Sequence, residues 1–357
     1  MAESLYSSGI PVDILTSRKD VAFYSRFFRN KHVYNGSDYL EQVIELIKEH
    51  HYSILIPMSD NAASFVSKNK DLLMNLDVQS PVPSFDVFEM GTDKSRLMNF
   101  CECHHIGHPR TREINDADIE SIAEYVGFPS LIKPNHSVGS RGIRKVSDMR
   151  QLISIYPNIK RQYGACTLQK YIDNDDYYYN VMIYRSLSGD MSANAIIKII
   201  RKYPLNAGSS CFCISVENPG LLEMCQTVLS KMGWYGMADF DVLHDNQTDE
   251  YHIIEINPRV PASLRGGVAA GIDFAGTIVR DLCNLPVQKN LYKTGIQLRY
   301  FGLDLMWFLK SSKRFSANPS WFKFTGDDLY YQDCYKNDPL PFIMSFPLKF
   351  IELFKRK

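Results

Sequence analysis

The stretch YHIIEINPRVPASL, residues 251–264, governs how the rest of the chain is read. Ile253 and Ile254, set among turn-forming residues, predict a buried strand, and Pro258 and Pro261 break the chain that follows. Glu255 and Asn257 are two apart and share one face of that strand. Arg259 comes two positions later. Two oxygen donors and a permanent cation at a strand end suit a hard metal ion and phosphate charge. Taken alone, EIN reads more readily as a buried strand running into a polar loop, so its partners elsewhere in the chain decide the matter.

The nearest partner is upstream. Strand 238–243 carries Asp241, which alternates to the same face as Asp239, and a hairpin across HDNQTDE brings Asp241 beside Glu255 and Asn257. Three oxygen donors then converge, an arrangement suited to one or two magnesium ions bridging phosphates. Further upstream, FPSLIKP (residues 128–134) is an apolar strand containing Lys133, and a lysine in such a frame is costly unless it meets an anion. The loop after it supplies Ser137, Gly139, Ser140 and Gly142, small enough for backbone N–H groups to approach phosphate oxygens. It is neither a Walker motif nor GxGxxG, and by itself such a loop is more often a tight turn. Combined in one chain, these elements favour phosphate transfer.

Around this centre the chain reads as mixed α and β. A helix-like piece, ESLYSSG, feeds a strand at 12–16; an amphipathic helix spans 38–50, and a strand at 53–57 ends at Met58, Ser59 and Asp60. This alternation predicts a parallel sheet. QSPVPS, residues 79–84, reads as a boundary, after which Thr92 caps a helix from 93 to about 105. Helices follow at 119–126, 146–155, 219–232 and after Ile272; strands follow at 167–172, 177–185, 193–202 and 209–216.

Composition narrows the class. Lys plus Arg and Asp plus Glu are both 40, so the formal charge is zero, which argues against a general nucleic-acid binder. No apolar run reaches the length of a membrane span, and MAESLYSSGI lacks the features of a signal peptide, which predicts a cytoplasmic protein. The tail KFIELFKRK is basic and amphipathic, but so short a helix more often packs on its own domain than on a membrane surface. Eight scattered cysteines fit reduced thiols. Cys101, Cys103, His104 and His105 lie in a helix where residues two apart do not share a face, and Cys211 and Cys213 alternate along a strand; all read as structural or incidental.

The order of these motifs resembles the ATP-grasp superfamily over nearly the whole chain. SRFFRNK, LIPMSDNA and EINPRVPASL are most similar to the D-aspartate ligase-like and carbamoyl phosphate synthetase-like carboxylate-amine ligases. The resemblance implies an α/β, truncated Rossmann-like N-terminal domain over residues 1–85. It further implies an α+β ATP-grasp fold over 86–288 whose two subdomains clamp ATP, with a lid at about 106–170, and an aromatic-rich extension over 289–357. It makes Lys94 in TDKSRL and Lys133 in LIKP phosphate-binding lysines, and Ser137, Val138 and Gly139 a loop closing over the phosphates. Gln169, Lys170 and Ile172 of QKYI become the segment that meets adenine, with Gln169 in place of the usual Glu. Asp176 becomes the ribose ligand, also in place of Glu.

By the same resemblance Asp241, Glu255 and Asn257 bind Mg2+, or alternatively Mn2+, and Arg259 is the catalytic arginine. Loop 201–210, RKYPLNAGSS, falls where related enzymes contact phosphate or acceptor, with Arg201 and its glycine-serine pair as the matching positions. The family opens with a strand and glycine turn, whereas this chain begins after them. The implied activity is activation of a small carboxylate as an acyl phosphate for attack by an amine. A bicarbonate-activating carboxylase-type enzyme and an inactive ATP-binding sensor or scaffold are the alternatives, and a homo-oligomer is compatible with each. Ser263 and Arg265, past the arginine, can meet an acceptor carboxylate or simply stabilise a helix start.

Overall fold

A computed structural model describes residues 1–34, 38–136, 141–174, 177–205, 208–288 and 290–345. The first pair of strands, β1 (Ile14–Thr16) and β2 (Lys31–Val33), is parallel, but β2 is not one of the strands read from the sequence and precedes the helix expected between them. Val43 and Ile47 of helix Tyr39–His50 form a core with Val66, Leu73, Val78 and Val82. Residues 53–57 do not extend this sheet. They make one parallel bridge, Ile54 with Gln79, framed by Leu55 N–H to Gln79 O at 2.9 Å and Gln79 N–H to Ser53 O at 2.8 Å. Pro57, Pro81 and Pro83 carry no N–H, so a ladder cannot continue through either segment.

Residues 79–84 are a packed segment and not an exposed linker: Val82 is fully buried, and the Pro81 carbonyl presses on Gly236. A Cβ at Gly236 would stand 1.9 Å from that oxygen, and its φ of +94° is one that glycine alone adopts readily. Helix Phe85–Thr92 follows and ends where the sequence predicted the next helix to be capped. Thr92 Oγ1 donates back to Phe88 O at 2.9 Å, and the cap of helix Lys94–Cys103 is Asp93, whose carboxylate accepts from Arg96 N at 2.9 Å. Asp caps as well as Thr does, so the start shifts by one residue.

The second sheet comprises β3 (Thr111–Glu113), β4 (Ser130–Pro134), β5 (Arg144–Val146) and β6 (Cys166–Lys170), in the order β3-β6-β4-β5. Its helix, predicted at 146–155, spans Met149–Tyr163 and contains Pro157. Val146 belongs to β5. An internal proline costs about 3 kcal/mol, but Leu152, Tyr156 and Ile159 are buried on the same face, and burial of each such side chain contributes about 1.5–3 kcal/mol. Burial outweighs the lost hydrogen bond.

The third sheet is the largest. It contains β7 (Tyr178–Arg185), β8 (Asn194–Tyr203), β9 (Ser209–Val216), β10 (Gly236–Asp245), β11 (Glu250–Asn257), β12 (Gln297–Arg299) and β13 (Leu329–Tyr331), in the order β11-β10-β7-β8-β9-β12-β13. Helix Pro219–Met232 covers one face through Leu221, Cys225, Val228 and Leu229, which meet Val181, Ile183, Ala238 and Phe240. Asn218 caps it, Pro219 occupies its first turn and Gly233 ends it with φ +66°, the punctuation that the sequence displays. The opposite face carries Met182, Ile197 and Leu298 beneath Val260, Leu264, Phe274 and Ile278. The aromatic-rich C-terminal residues contribute β12 and β13 to this sheet, and Trp307 and Trp321 pack near Cys211. Among the described residues no helix is long and apolar enough to cross a membrane.

Candidate active site

The hairpin β10–β11 sets the geometry. Asp241 lies opposite Glu255 and Asp239 opposite Asn257, so alternation places all four on one face. Just beyond Asp241 the register shifts, Val242 pairing with Ile253, which bends the hairpin where the acidic pair ends. On the other side of β10, Asn180 of β7 pairs with Asp241, and its carboxamide donates to Asp241 Oδ1. Ser263 Oγ in turn donates to Asn180 Oδ1 at 3.4 Å.

Two lysines reach this face from other elements. Lys94, the first residue after the Asp93 cap, is buried with its ammonium 3.7 Å from Glu255 Oε2. Lys133 comes from β4 in the four-stranded sheet. Its ammonium donates to Gln169 Oε1 on the adjacent β6, and Gln169 Nε2 donates to Thr111 Oγ1 at 3.1 Å. A glutamate at 169 would neutralise Lys133; glutamine gives it a neutral acceptor and leaves its charge uncompensated locally. Burial, reinforced by Lys94, lowers the Lys133 pKa to about 8, while Glu255 and Asp241 act in the opposite direction. That mutual influence puts groups from both sheets and from helix Lys94–Cys103 into one site.

Arg259 closes the group. Its Nε lies 3.0 Å from Asp60 Oδ1, and its remaining contacts are long, 3.4 Å to Val260 O and 3.5 Å to Asn257 Oδ1. Asp60 opens helix Asp60–Lys68 behind the Ser59 cap. Sequence reasoning missed its role and that of Asn180. The signal for Asp60 was the polar stop at Met58, Ser59 and Asp60 after an apolar run; nothing in the sequence pointed to Asn180.

Carboxylates crowd here. Burial, then Glu255, pushes the Asp241 pKa up to about 7, against the pull of Arg259 and Lys133. Burial, then Asp241, raises Asp239 well above the usual carboxylate range, and Asp239 Oδ1 is buried without a hydrogen-bond partner. Two carboxylates and the Asn257 carboxamide form an all-oxygen donor set beside excess buried negative charge, and that fits a magnesium ion. Among the described residues no group of three or more His, Cys, Asp and Glu forms a metal cluster, Cys101 with its histidine neighbours included. Burial pushes the Cys101, Cys211 and Cys213 thiols up to about 12, consistent with inert cysteines.

Other expected positions are distributed as follows. Lys170 sits at the end of β6 with its backbone N–H on Arg110 O at 2.8 Å and its ammonium on Phe128 O at 2.7 Å; Ile172 is buried just beyond. Ser137, Val138, Gly139 and Asp176 lie outside the described residues. Arg201 is elsewhere: it is buried on Asp304 of helix Phe301–Lys310, Nε to Oδ1 at 2.7 Å, and does not join the site.

Residues 92–263 match the model of the ATP-grasp domain. The chain is 24% identical over 197 residues to a D-alanine–D-alanine ligase of Ectopseudomonas mendocina, a match covering 51% of this chain and 62% of that protein. It is 22% identical over 282 residues to a D-aspartate ligase of Enterococcus faecium, covering 72% of this chain and 66% of that one. Matches of this kind span less than two thirds of those relatives' own length. The biotin carboxylase domain of Hydrogenobacter thermophilus 2-oxoglutarate carboxylase, solved with MgADP, ADP and bicarbonate, shares the fold. Its TM-score is 0.70 at 16% identity, over 83% of this chain and 70% of that one.

Proposed function

We propose that this chain, whose residues 92–263 match the ATP-grasp domain, is an ATP- and magnesium-dependent ligase that activates a carboxylate as an acyl phosphate for attack by an amine. The observation that carries this reading is the meeting of Lys94, Lys133, Asp241, Glu255 and Asn257 at the end of one hairpin, with Arg259 beside them. Asp241, Glu255 and Asn257 would hold the metal, which would supply positive charge to neutralise the ATP phosphates. The carboxylate oxygen of the substrate attacks the γ-phosphorus, the bond to the β–γ bridging oxygen breaks, and ADP departs. Lys94, Lys133 and Arg259 stabilise the charge on the transferring group, so catalysis is positioning plus electrostatics with no side-chain nucleophile.

Residues 1–85 form the N-terminal, Rossmann-like substrate domain in this reading, and residues 106–170 the lid that carries Lys133 over the phosphates. The separate four- and seven-stranded sheets, each contributing charged groups to one place, support such a clamp. Gln169, Lys170 and Ile172 line adenine, Asp176 meets the ribose, and the loop of Ser137, Val138 and Gly139 excludes water from the acyl phosphate. ADP release screened over pairs of small carboxylates and amines tests the proposal. Release needing both a carboxylate and an amine supports it. Release with bicarbonate alone would favour the carboxylase alternative, and ATP binding with no release for any pair would favour a catalytically silent module.

A further inference from the structure

An aromatic layer runs from the core of the seven-stranded sheet out to solvent. Trp307, in helix Phe301–Lys310, and Trp321 are buried at its base. Trp321 meets Phe308 with ring centres 4.2 Å apart, and Phe308 meets Phe315 at 5.6 Å and Phe322 at 5.7 Å. Phe315 and Phe322 then stack on one another, 6.4 Å apart and 15° from parallel, although they are 75% and 55% exposed. Leu305, Met306 and Leu309 are exposed on the same helix, with Leu305 and Leu309 one turn apart and beside Phe308. Scattered apolar residues at a surface are ordinary, but adjoining rings and aliphatic side chains mark a face that meets something.

The base of this layer is fixed. Arg299 Nη2 donates to Trp321 O at 2.9 Å, and the Trp321 indole donates to Asp304 O at 3.1 Å. The Asp304 carboxylate is itself held by Arg201 and Arg299. Around the exposed rings the charge has one sign: from 305 to 326 the sequence contains Lys310, Lys313, Arg314 and Lys323 and no Asp or Glu. Lys323 is paired with Asp328 at 3.1 Å. Lys310 ends the helix, and Arg314 lies over the Phe315 ring at 5.4 Å with one long bond, 3.5 Å, to Leu309 O. The cations therefore stand among the exposed apolar side chains.

Charge decides what covers this face. The tail KFIELFKRK, residues 349–357, carries Lys349, Lys355, Arg356 and Lys357 against Glu352, so it has the sign of the patch and is repelled by it. The same patch on a second copy is repelled for the same reason, because a two-fold contact sets like against like. A single-stranded nucleic acid would use the cations and the rings, but it offers nothing to Leu305, Met306 and Leu309. A lipid surface engages all of them: the acyl boundary takes the aromatic and aliphatic side chains, while the long basic side chains reach back to anionic headgroups. We propose that Leu305, Leu309, Phe315 and Phe322, with Lys310, Lys313 and Arg314, form a docking face for an anionic phospholipid surface. The inference does not depend on the ligase reading.

The test measures co-sedimentation of the full chain with vesicles of phosphatidylcholine, alone or mixed with phosphatidylserine. Binding should require phosphatidylserine and weaken as salt rises. Lys310→Gln, Lys313→Gln and Arg314→Gln together should weaken it about 100-fold, at about fivefold per cation. Phe315→Ser with Phe322→Ser should weaken it about 30-fold, because two half-buried rings are lost from the lipid. Phe315→Trp, at a largely exposed position that tolerates exchange, should add an emission that moves to the blue on the mixed vesicles and stays put on phosphatidylcholine alone. Absence of binding to the mixed vesicles would overturn the assignment, as would cation and phenylalanine variants that bind like the parent. So would a single-stranded oligonucleotide bound more tightly than the vesicles, or a dimer that the phenylalanine variant dissociates in a protein indifferent to lipid.

Discussion

Arg201 and Arg259 both serve the seven-stranded sheet and both face a carboxylate, yet their surroundings have little else in common. Arg201 grips Asp304 with two bonds, 2.7 and 3.0 Å, donates a third to Pro319 O at 3.0 Å, and lies over the Phe212 ring at 4.0 Å; the paired side chains are 1% and 0% exposed. Arg299 adds a contact to the same Asp304 at 3.1 Å. Arg259 has one contact to Asp60 at 3.0 Å, with side chains 23% and 31% exposed, and beyond that only contacts of 3.4 and 3.5 Å. Its neighbour Lys94 stands 3.7 Å from Glu255. One cluster uses up its charges within the chain. The other leaves Arg259, Asp60 and Glu255 partly exposed, and this separates a scaffold clamp from a site.

Breaking the clamp should produce the largest effect. Asp304→Ala leaves Arg201 and Arg299 buried without a counter-charge, and removing one partner of such a group costs about 3–5 kcal/mol. Urea unfolding should show this as a fall in the midpoint at constant m-value. If the variant is as stable as the parent, the distinction between the clusters collapses. Arg259→Ala should do the opposite: unfolding stays within about 0.5 kcal/mol of the parent because the lost contacts are few and partly exposed. ADP release should fall about 100- to 1,000-fold, the loss typical of one donor to a transition-state charge.

How much of this was legible beforehand follows from the range over which each pairing acts. The β10–β11 hairpin was readable because its connection is short and the period of two fixes parity; hence Asp241 opposite Glu255. Helix Pro219–Met232 carried its own start and stop signals. Asp60 beside Arg259, Asp304 beside Arg201 and Tyr335 beside Arg265 are partners far apart in sequence, and no local period encodes them. The strand expected at 53–57 failed for a different reason: its pattern was right, but its partner segment is rich in proline and cannot supply a ladder. Thus the carboxylate face of the site was visible early, while the walls that complete it were not.

The comparison sharpens with pH. A guanidinium does not titrate over the working range in general, whereas Lys133 has a pKa lowered to about 8 by burial. A group whose folded pKa lies below its unfolded value binds fewer protons when folded, so the free protein should gain stability from Lys133 as pH rises from about 8 towards 10.5. ATP binding works against this, because phosphate needs the ammonium. ATP affinity should fall about tenfold between pH 7 and pH 9, by linkage to one proton taken up on binding. Lys133→Arg, permanently charged, should flatten the profile measured by calorimetry. A flat profile in the parent would mean that Lys133 carries no phosphate.

The smallest effect concerns Lys94, which is buried like Arg201 and pairs with Glu255 in the site that Arg259 borders. What fixes it is the backbone. Asp93 caps the helix that Lys94 begins, accepting from Arg96 N at 2.9 Å, and the same carboxylate lies 3.2 Å from His136 Nε2 at the edge of the loop expected to cover phosphate. Asp93→Ala should therefore cost about 1 kcal/mol through the lost cap and weaken ATP binding a few-fold as Lys94 loses its fixed start. Asn caps about as well as Asp, so Asp93→Asn should restore the stability and most of the affinity if the cap is what positions Lys94. Should Asp93→Asn recover stability but not affinity, the carboxylate itself, through His136, is shaping the phosphate side. Lys94 would then owe its position to Glu255 and burial more than to the helix it starts.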